Sequence, residues 1–212
     1  MTPRHTLLLF LALLLVNSSR AVSGNWISTG SPIPEAALVL FEQGSSSGSI
    51  KLSIPGFYRN EFTDNQGIYS IPEIAGSFPL IEAGSPELPA LSATIQLPAA
   101  GRSELTVVSS KYIDFPGFAI PPSPGNLTRG SVTEAGLKGP AYESDAFFPG
   151  IYMNGSEPYI SRNLRCQTVT LYPFQYNPVT GVLRVYYELE IGVNFLPDKG
   201  KNELSGDDLR IS

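Results

Sequence analysis

The chain has 212 residues, with 14 Lys+Arg, 19 Asp+Glu and one His, for a formal net charge of -5. That length suits one domain or two small ones, and 20 Gly with 19 Pro argue against long helices, because proline removes a helix donor and glycine is entropically costly there. The only histidine is His5 and the only cysteine is Cys166, which excludes a Cys/His zinc cluster and an intrachain disulfide, while the acidic balance argues against a nucleic-acid binder.

Residues 1–23 read as a secretory signal peptide. Arg4 and His5 give a positive start, 7–16 is an apolar run of ten, and Ala21 and Ser23 are small residues where a signal peptidase reads, with cleavage after Ser23. Ten apolar residues are too few to cross a ~30 Å hydrocarbon core, and no later stretch approaches the length of about 20 that a membrane span needs. The expected location is extracellular or periplasmic. Cleavage removes Arg4, Arg20 and His5, so the exported chain, 24–212, contains no histidine. Nucleophilic mechanisms that need a His base are then closed to it alone. Cys166 sits in an alternating apolar run and reads as a buried structural thiol.

The next elements are short strands between turns. Apolar residues at 36–41 and the alternating Ile50, Leu52 and Ile54 flank the polar stretch 43–49, which predicts a hairpin. Residues 67–74 and 78–81 read as further strands, with 64–67 as a turn. Leu91, Ala93, Ile95 and Leu97 alternate with polar residues in a half-buried strand, and after a turn at Gly101-Arg102 another strand covers 105–115. From Pro116 to Gly150 six prolines and repeated glycines interrupt any regular element, which predicts a long surface excursion.

The clearest signal comes last. Every odd position from 183 to 195 is apolar (Leu183, Val185, Tyr187, Leu189, Ile191, Val193, Phe195), the period-two pattern of a strand with one buried face. Residues 166–174 are rich in β-formers, and Asn177-Pro178-Val179-Thr180-Gly181 is a turn, so the two segments are expected to form a long C-terminal hairpin. Residues 197–212 are polar and aperiodic and read as a flexible tail. The whole is an all-β chain, an antiparallel β-sandwich of irregular, jelly-roll-like form over 24–196. No acid pair, metal-ligand spacing or phosphate loop stands out, so no catalytic residue, metal or cofactor is assigned. Asn126-Leu127-Thr128 and Asn154-Gly155-Ser156 match the glycosylation sequon, which matters only in a eukaryotic secretory pathway.

Several motifs carry a resemblance. Gly84-Ser85-Pro86-Glu87-Leu88-Pro89 and Ile95-Gln96-Leu97-Pro98 resemble the opening of gingipain-type propeptides, the N-terminal prodomains of family C25 cysteine peptidases. Phe147-Phe148-Pro149-Gly150 is similar to their aromatic-Pro-Gly element. Leu164-Arg165, then 171–186 with Gln175-Tyr176-Asn177-Pro178, Thr180-Gly181, Leu183 and Val185-Tyr186, resembles their closing hairpin. The resemblance spans about 71–195.

It implies a β-sandwich that assists folding of a following caspase-like domain and keeps the zymogen latent. That family's catalytic His and Cys lie in the later domain, which these 212 residues do not contain, so no peptidase activity is expected of the chain itself. The implied role is to bind, help fold or inhibit a gingipain-type cysteine peptidase, or else the chain is the stump of a truncated peptidase precursor; the alternative is an extracellular structural or adhesion module with no such partner. Since those peptidases cut after Arg or Lys, Arg129 and Lys138, the only cations of the excursion, are the candidate pocket contacts. Lys199, Lys201 and Arg210 in the tail are candidate processing sites.

Overall fold

The computed structural model describes residues 24–44, 46–64, 67–126 and 137–204. Along the chain run β1 (Asn25–Ser28), β2 (Leu38–Gln43), β3 (Ser47–Ser53), β4 (Gly56–Asp64), β5 (Gly67–Glu73), β6 (Phe78–Pro79), β7 (Pro89–Gln96), β8 (Arg102–Pro116), β9 (Met153–Gly155), β10 (Tyr159–Ser161), β11 (Leu164–Leu171), β12 (Phe174–Asn177) and β13 (Val182–Leu196), with a 3₁₀ turn at Pro140–Glu143. Every pairing between these strands is antiparallel. One five-stranded sheet has the order β12-β13-β3-β2, with β8 on the other side of β13; a second has β10-β11-β7-β6, with β9 also on β11; a third has β1-β4-β5.

The two five-stranded sheets face each other across one apolar core. Ile50 and Leu52 of β3 and Val185, Leu189 and Ile191 of β13 meet Leu91 and Ile95 of β7 and Val169 and Leu171 of β11. The all-β antiparallel sandwich expected from the alternating patterns is therefore the fold. The third sheet adds Phe57, fully buried, in edge-to-face contact with Phe115 and Phe174 at 5.4 Å each. Edge-to-face rings add attraction beyond their burial.

β13 organises the first sheet. Its odd residues Leu183, Val185, Leu189, Ile191 and Val193 are buried, as their period predicts. β8 pairs with it from Val182 to Leu196; on the other side β12 pairs with Val182–Val185 and β3 with Glu188–Asn194. The β8 register shifts twice, leaving Tyr187 and Val108 as extra residues. Such bulges bend a long strand locally.

The structure departs from the sequence reading in four places. The segment before the last turn does not form one hairpin arm with β13. β11 lies in the opposite sheet, from Cys166 against Gln96 to Leu171 against Leu91, and only β12 pairs with β13. Pro173 marks the crossing: it has no N–H to continue a ladder, and its carbonyl accepts a 2.8 Å bond from the Tyr186 amide. β1, β4, β9 and β10 carry no clean alternation and lie outside the strands expected from the sequence. The strand expected at 78–81 shrinks to Phe78–Pro79. Finally, 197–204 is tied to the body rather than free: the Leu204 amide donates to the Ala99 carbonyl at 2.8 Å, and Glu203 Oε1 accepts from the amides of Gly101 and Gly200.

Candidate functional site

The proline-rich excursion is shorter at the surface than its sequence suggested, because its outgoing arm is buried. Phe118 and Ile120 are 4% and 1% exposed, and four elements hold the backbone between them. The Phe118 amide donates to the Gly181 carbonyl at 3.0 Å, and the Ser70 amide donates to the Ala119 carbonyl at 2.8 Å. Tyr176 Oη donates to the Phe118 carbonyl at 3.1 Å, and Tyr142 Oη to the Ile120 carbonyl at 2.9 Å. Burial raises the pKa of both phenols, so both stay neutral donors.

Residues 121–123 then lie antiparallel to 84–87. The Glu87 amide donates to the Pro121 carbonyl at 3.0 Å, the Ser123 amide to the Ser85 carbonyl at 2.7 Å, and the Gly84 amide to the Ser123 carbonyl at 2.9 Å. The returning arm meets the same strip: the Gly139 amide donates to the Gly84 carbonyl at 2.8 Å. Gly84 has φ +78°, and a Cβ there would sit 3.1 Å from the Gly139 nitrogen. Both the conformation and the approach call for glycine. Outgoing and returning chain therefore close on Gly84-Ser85, which forms a fixed base for residues 126–138.

Of the expected pocket contacts, Lys138 is exposed on the returning arm, its Nζ 5.3 Å from the centroid of the Tyr142 ring. Arg129 lies outside the described residues, as do Arg210 and the cleavage position Ser23. Lys199 and Lys201 are exposed but far along the chain from the base, on the tied segment 197–204. Partial burial pushes the Glu87 carboxyl above its ordinary value of 4.5.

Sequence reasoning missed Arg165. It is 1% exposed on β11, and its guanidinium donates to the carbonyls of Pro98 (3.0 Å), Gly101 (2.8 Å) and Lys201 (2.8 and 3.1 Å). A lone arginine among β-formers gives no sequence signal of burial, because its acceptors come from distant turns. Cys166 beside it is buried, as expected. Among the described residues no group of three or more His, Cys, Asp or Glu is arranged to hold a metal ion, and no helix is long and apolar enough to cross a membrane.

Residues 33–206 match the family model Propeptide_C25. The chain belongs to the C25 propeptide family. Gingipain R2 of Porphyromonas gingivalis is 33% identical over 177 residues, covering 81% of this chain and 23% of that protein. Gingipain R1 of the same organism is 35% identical over 150 residues, covering 68% of this chain and 15% of that protein. The chain thus spans less than a quarter of the length of these curated relatives. Among solved structures, it superposes with a TM-score of 0.72 and 29% identity on a chain of the complex of P. gingivalis RgpB pro- and mature domains, covering 83% of this chain and 90% of that one. The structure describing zymogenic latency of gingipain K from the same organism gives a TM-score of 0.68 at 21% identity, covering 81% and 97%, a likeness of fold.

The C25-propeptide motifs gain a physical meaning here, since they build the frame around the excursion. Gly84-Ser85 is its base. Gln175 Nε2 donates to the Ile151 carbonyl at 3.1 Å, and Tyr176 and Phe148 exchange backbone bonds of 2.9 Å. Asn177 Nδ2 donates to Asp145 at 2.8 Å while its Oδ1 accepts from the amides of Val179 and Thr180. Arg184 makes a two-pronged pair with Asp114, 2.8 Å on each prong, with its guanidinium carbon 4.0 Å from the Tyr112 ring centroid and 4.1 Å from that of Phe147.

Proposed function

We propose that this chain is an exported prodomain, without catalytic activity of its own, that binds a gingipain-type C25 cysteine peptidase and holds it latent. The observation that carries this reading is the family match over 33–206, together with a likeness covering 90% of a chain from a complex of pro- and mature domains. Export follows from the signal peptide read in 1–23, cleaved after Ser23. The loop base gives the inhibitory part of the reading a mechanism. A segment that must enter a cleft loses less entropy when its ends are already fixed, and both ends of 126–138 close on Gly84-Ser85. Within that segment Arg129 and Lys138 are the cations that a pocket built for Arg or Lys would accept, through charge-assisted pairing with a buried carboxylate.

The test is an inhibition assay of 24–212 against an Arg- or Lys-specific C25 peptidase. The parent inhibits; Arg129→Ala or Lys138→Ala weakens inhibition by at least about tenfold, the worth of one lost charge-assisted contact. A parent that does not inhibit overturns the reading, and two variants that inhibit as tightly as the parent remove these residues from the plug. The purified chain should also hydrolyse no peptide substrate; turnover abolished by Cys166→Ala would overturn the non-catalytic reading.

A further inference from the structure

The segment 197–204 shows a contradiction between its side chains and its backbone. Lys199 and Lys201 are exposed, as a peptidase with basic specificity would need. The backbone around them is tied at three points. The Lys201 carbonyl accepts two bonds from Arg165, the Gly200 amide donates to Glu203 Oε1 at 2.8 Å, and the Leu204 amide donates to the Ala99 carbonyl. Asp198 pairs with Arg102 at 3.1 Å, Lys201 pairs with Glu157, and Asn202 Nδ2 donates to the Pro158 carbonyl at 2.6 Å. Gly200 is packed so closely that a Cβ there would lie 1.8 Å from the Gly101 carbonyl oxygen and 2.6 Å from Arg165 Nη2.

We propose that 197–204 is a proteolytic catch: closed over Arg165, it withholds the backbone at Lys199 and Lys201 from cleavage, and a cut there loosens the module by uncovering Arg165. The proposal rests on the processing role read for these two lysines. Cleavage requires a stretch of chain to leave its own hydrogen bonds and extend into the peptidase, so a site in an engaged segment is cut only through local opening. The converse half follows from the guanidinium. Its bonds all run to carbonyls, and two of the four are to Lys201. The ionised Glu203 carboxylate is held nearby by the Gly200 and Gly101 amides. With the catch removed, a buried cation keeps only Pro98 and Gly101, and a buried charge without its partners is costly.

The experiment treats the exported chain, 24–212, with a lysine-specific serine endopeptidase under native conditions and follows the cuts by mass spectrometry. The parent is compared with Gly200→Ala, which wedges the catch open while leaving Arg165 intact, and with Glu203→Gln. The cut after Lys138 serves as an internal reference. Cuts after Lys199 and Lys201 are expected to run at least about tenfold faster in Gly200→Ala, with an intermediate gain in Glu203→Gln and no change at Lys138. Equal rates in parent and Gly200→Ala overturn the proposal, as does an equal rise at Lys138, which would report general unfolding. Parent nicked at Lys199 or Lys201 should melt at a lower temperature than intact parent; an unchanged Tm overturns the second half. No C25 peptidase enters the assay, so its failure leaves the inhibition reading standing, and failure of inhibition leaves the catch standing.

Discussion

Two irregular stretches are fastened to the same sandwich by different chemistry. The base of the excursion uses neutral groups: two tyrosine hydroxyls, backbone pairs between 84–87 and 121–123, and a glycine-on-glycine contact. The catch at 197–204 uses charge: Arg165, Glu203, and the pairs Arg102–Asp198 and Lys201–Glu157. Neutral, buried bonds hold their strength across salt and pH, whereas exposed ion pairs are screened and titrate. The loop base is therefore constant, while the catch is conditional in its exposed pairs though not in the buried Arg165 bonds, which suits the proposed roles of a segment that stays aimed and a segment that is released.

Breaking the core beneath both fastenings has the largest expected effect. Leu189→Ala should cost about 2–5 kcal/mol in a urea titration, the usual transfer-plus-cavity penalty. Glu190→Ala, on the half-buried face where its carboxylate meets Ser49 at 3.0 Å, should cost under about 1 kcal/mol; equal costs would mean that the faces are wrongly assigned.

At the fastenings themselves, Tyr176→Phe should cost about 1–2 kcal/mol and change little between low and high salt, because it removes one neutral buried bond. Arg102→Ala should cost less, about 0.5 kcal/mol or below, and that small difference should vanish in high salt. A salt-sensitive Tyr176→Phe or a salt-insensitive Arg102→Ala would erase the distinction drawn here.

The finest contrast is the sign of the pH response. The amides of Gly200 and Gly101 hold the Glu203 carboxyl below its ordinary 4.5, helped by the charge of Arg165. Its contribution is complete above the unfolded value and is lost as pH falls through the lowered folded value. Glu87 runs the other way: burial raises its folded pKa, so its ionised form carries a cost that disappears as pH falls through that raised value. Amide exchange followed from about pH 6 to pH 3, corrected for intrinsic rates, should show Gly101 and Gly200 losing protection while Ser123 and Gly139 keep or gain it. Parallel behaviour at both places would break the comparison.

The sequence was most legible where one face of a strand meets the core and the other meets water. β13 and β7 satisfy that condition and were read with nearly correct bounds. The partner of β13 was not legible, because β11 and β12 both send residues into the same core (Val169 and Leu171, Phe174 and Tyr176) from opposite sheets; only Pro173, where the ladder breaks, hints at the crossing. β4 stayed hidden because Phe57 alone of its residues enters the core cluster. At the candidate site the cations could be named from loop character and family specificity, but the base at Gly84 and the burial of Phe118 and Ile120 depend on contacts between distant segments. Arg165 is the extreme case, with acceptors more than 30 residues away on either side.

The place of β13 in its sheet also sets a schedule for folding during synthesis. β3 and β8 are not ladder partners of each other: β8 pairs only with β13, while β3 pairs with β2 on one side and β13 on the other, and β13 comes last among the described strands. Until residue 196 has emerged, this sheet has its β2–β3 pair but no partner for β8 or β12, and its closure must span most of the chain. Folds dominated by such distant pairings form slowly. A nascent chain that stalls before β13 therefore presents open strand edges, a template for aggregation, whereas one that completes it gains the sheet in a single cooperative step.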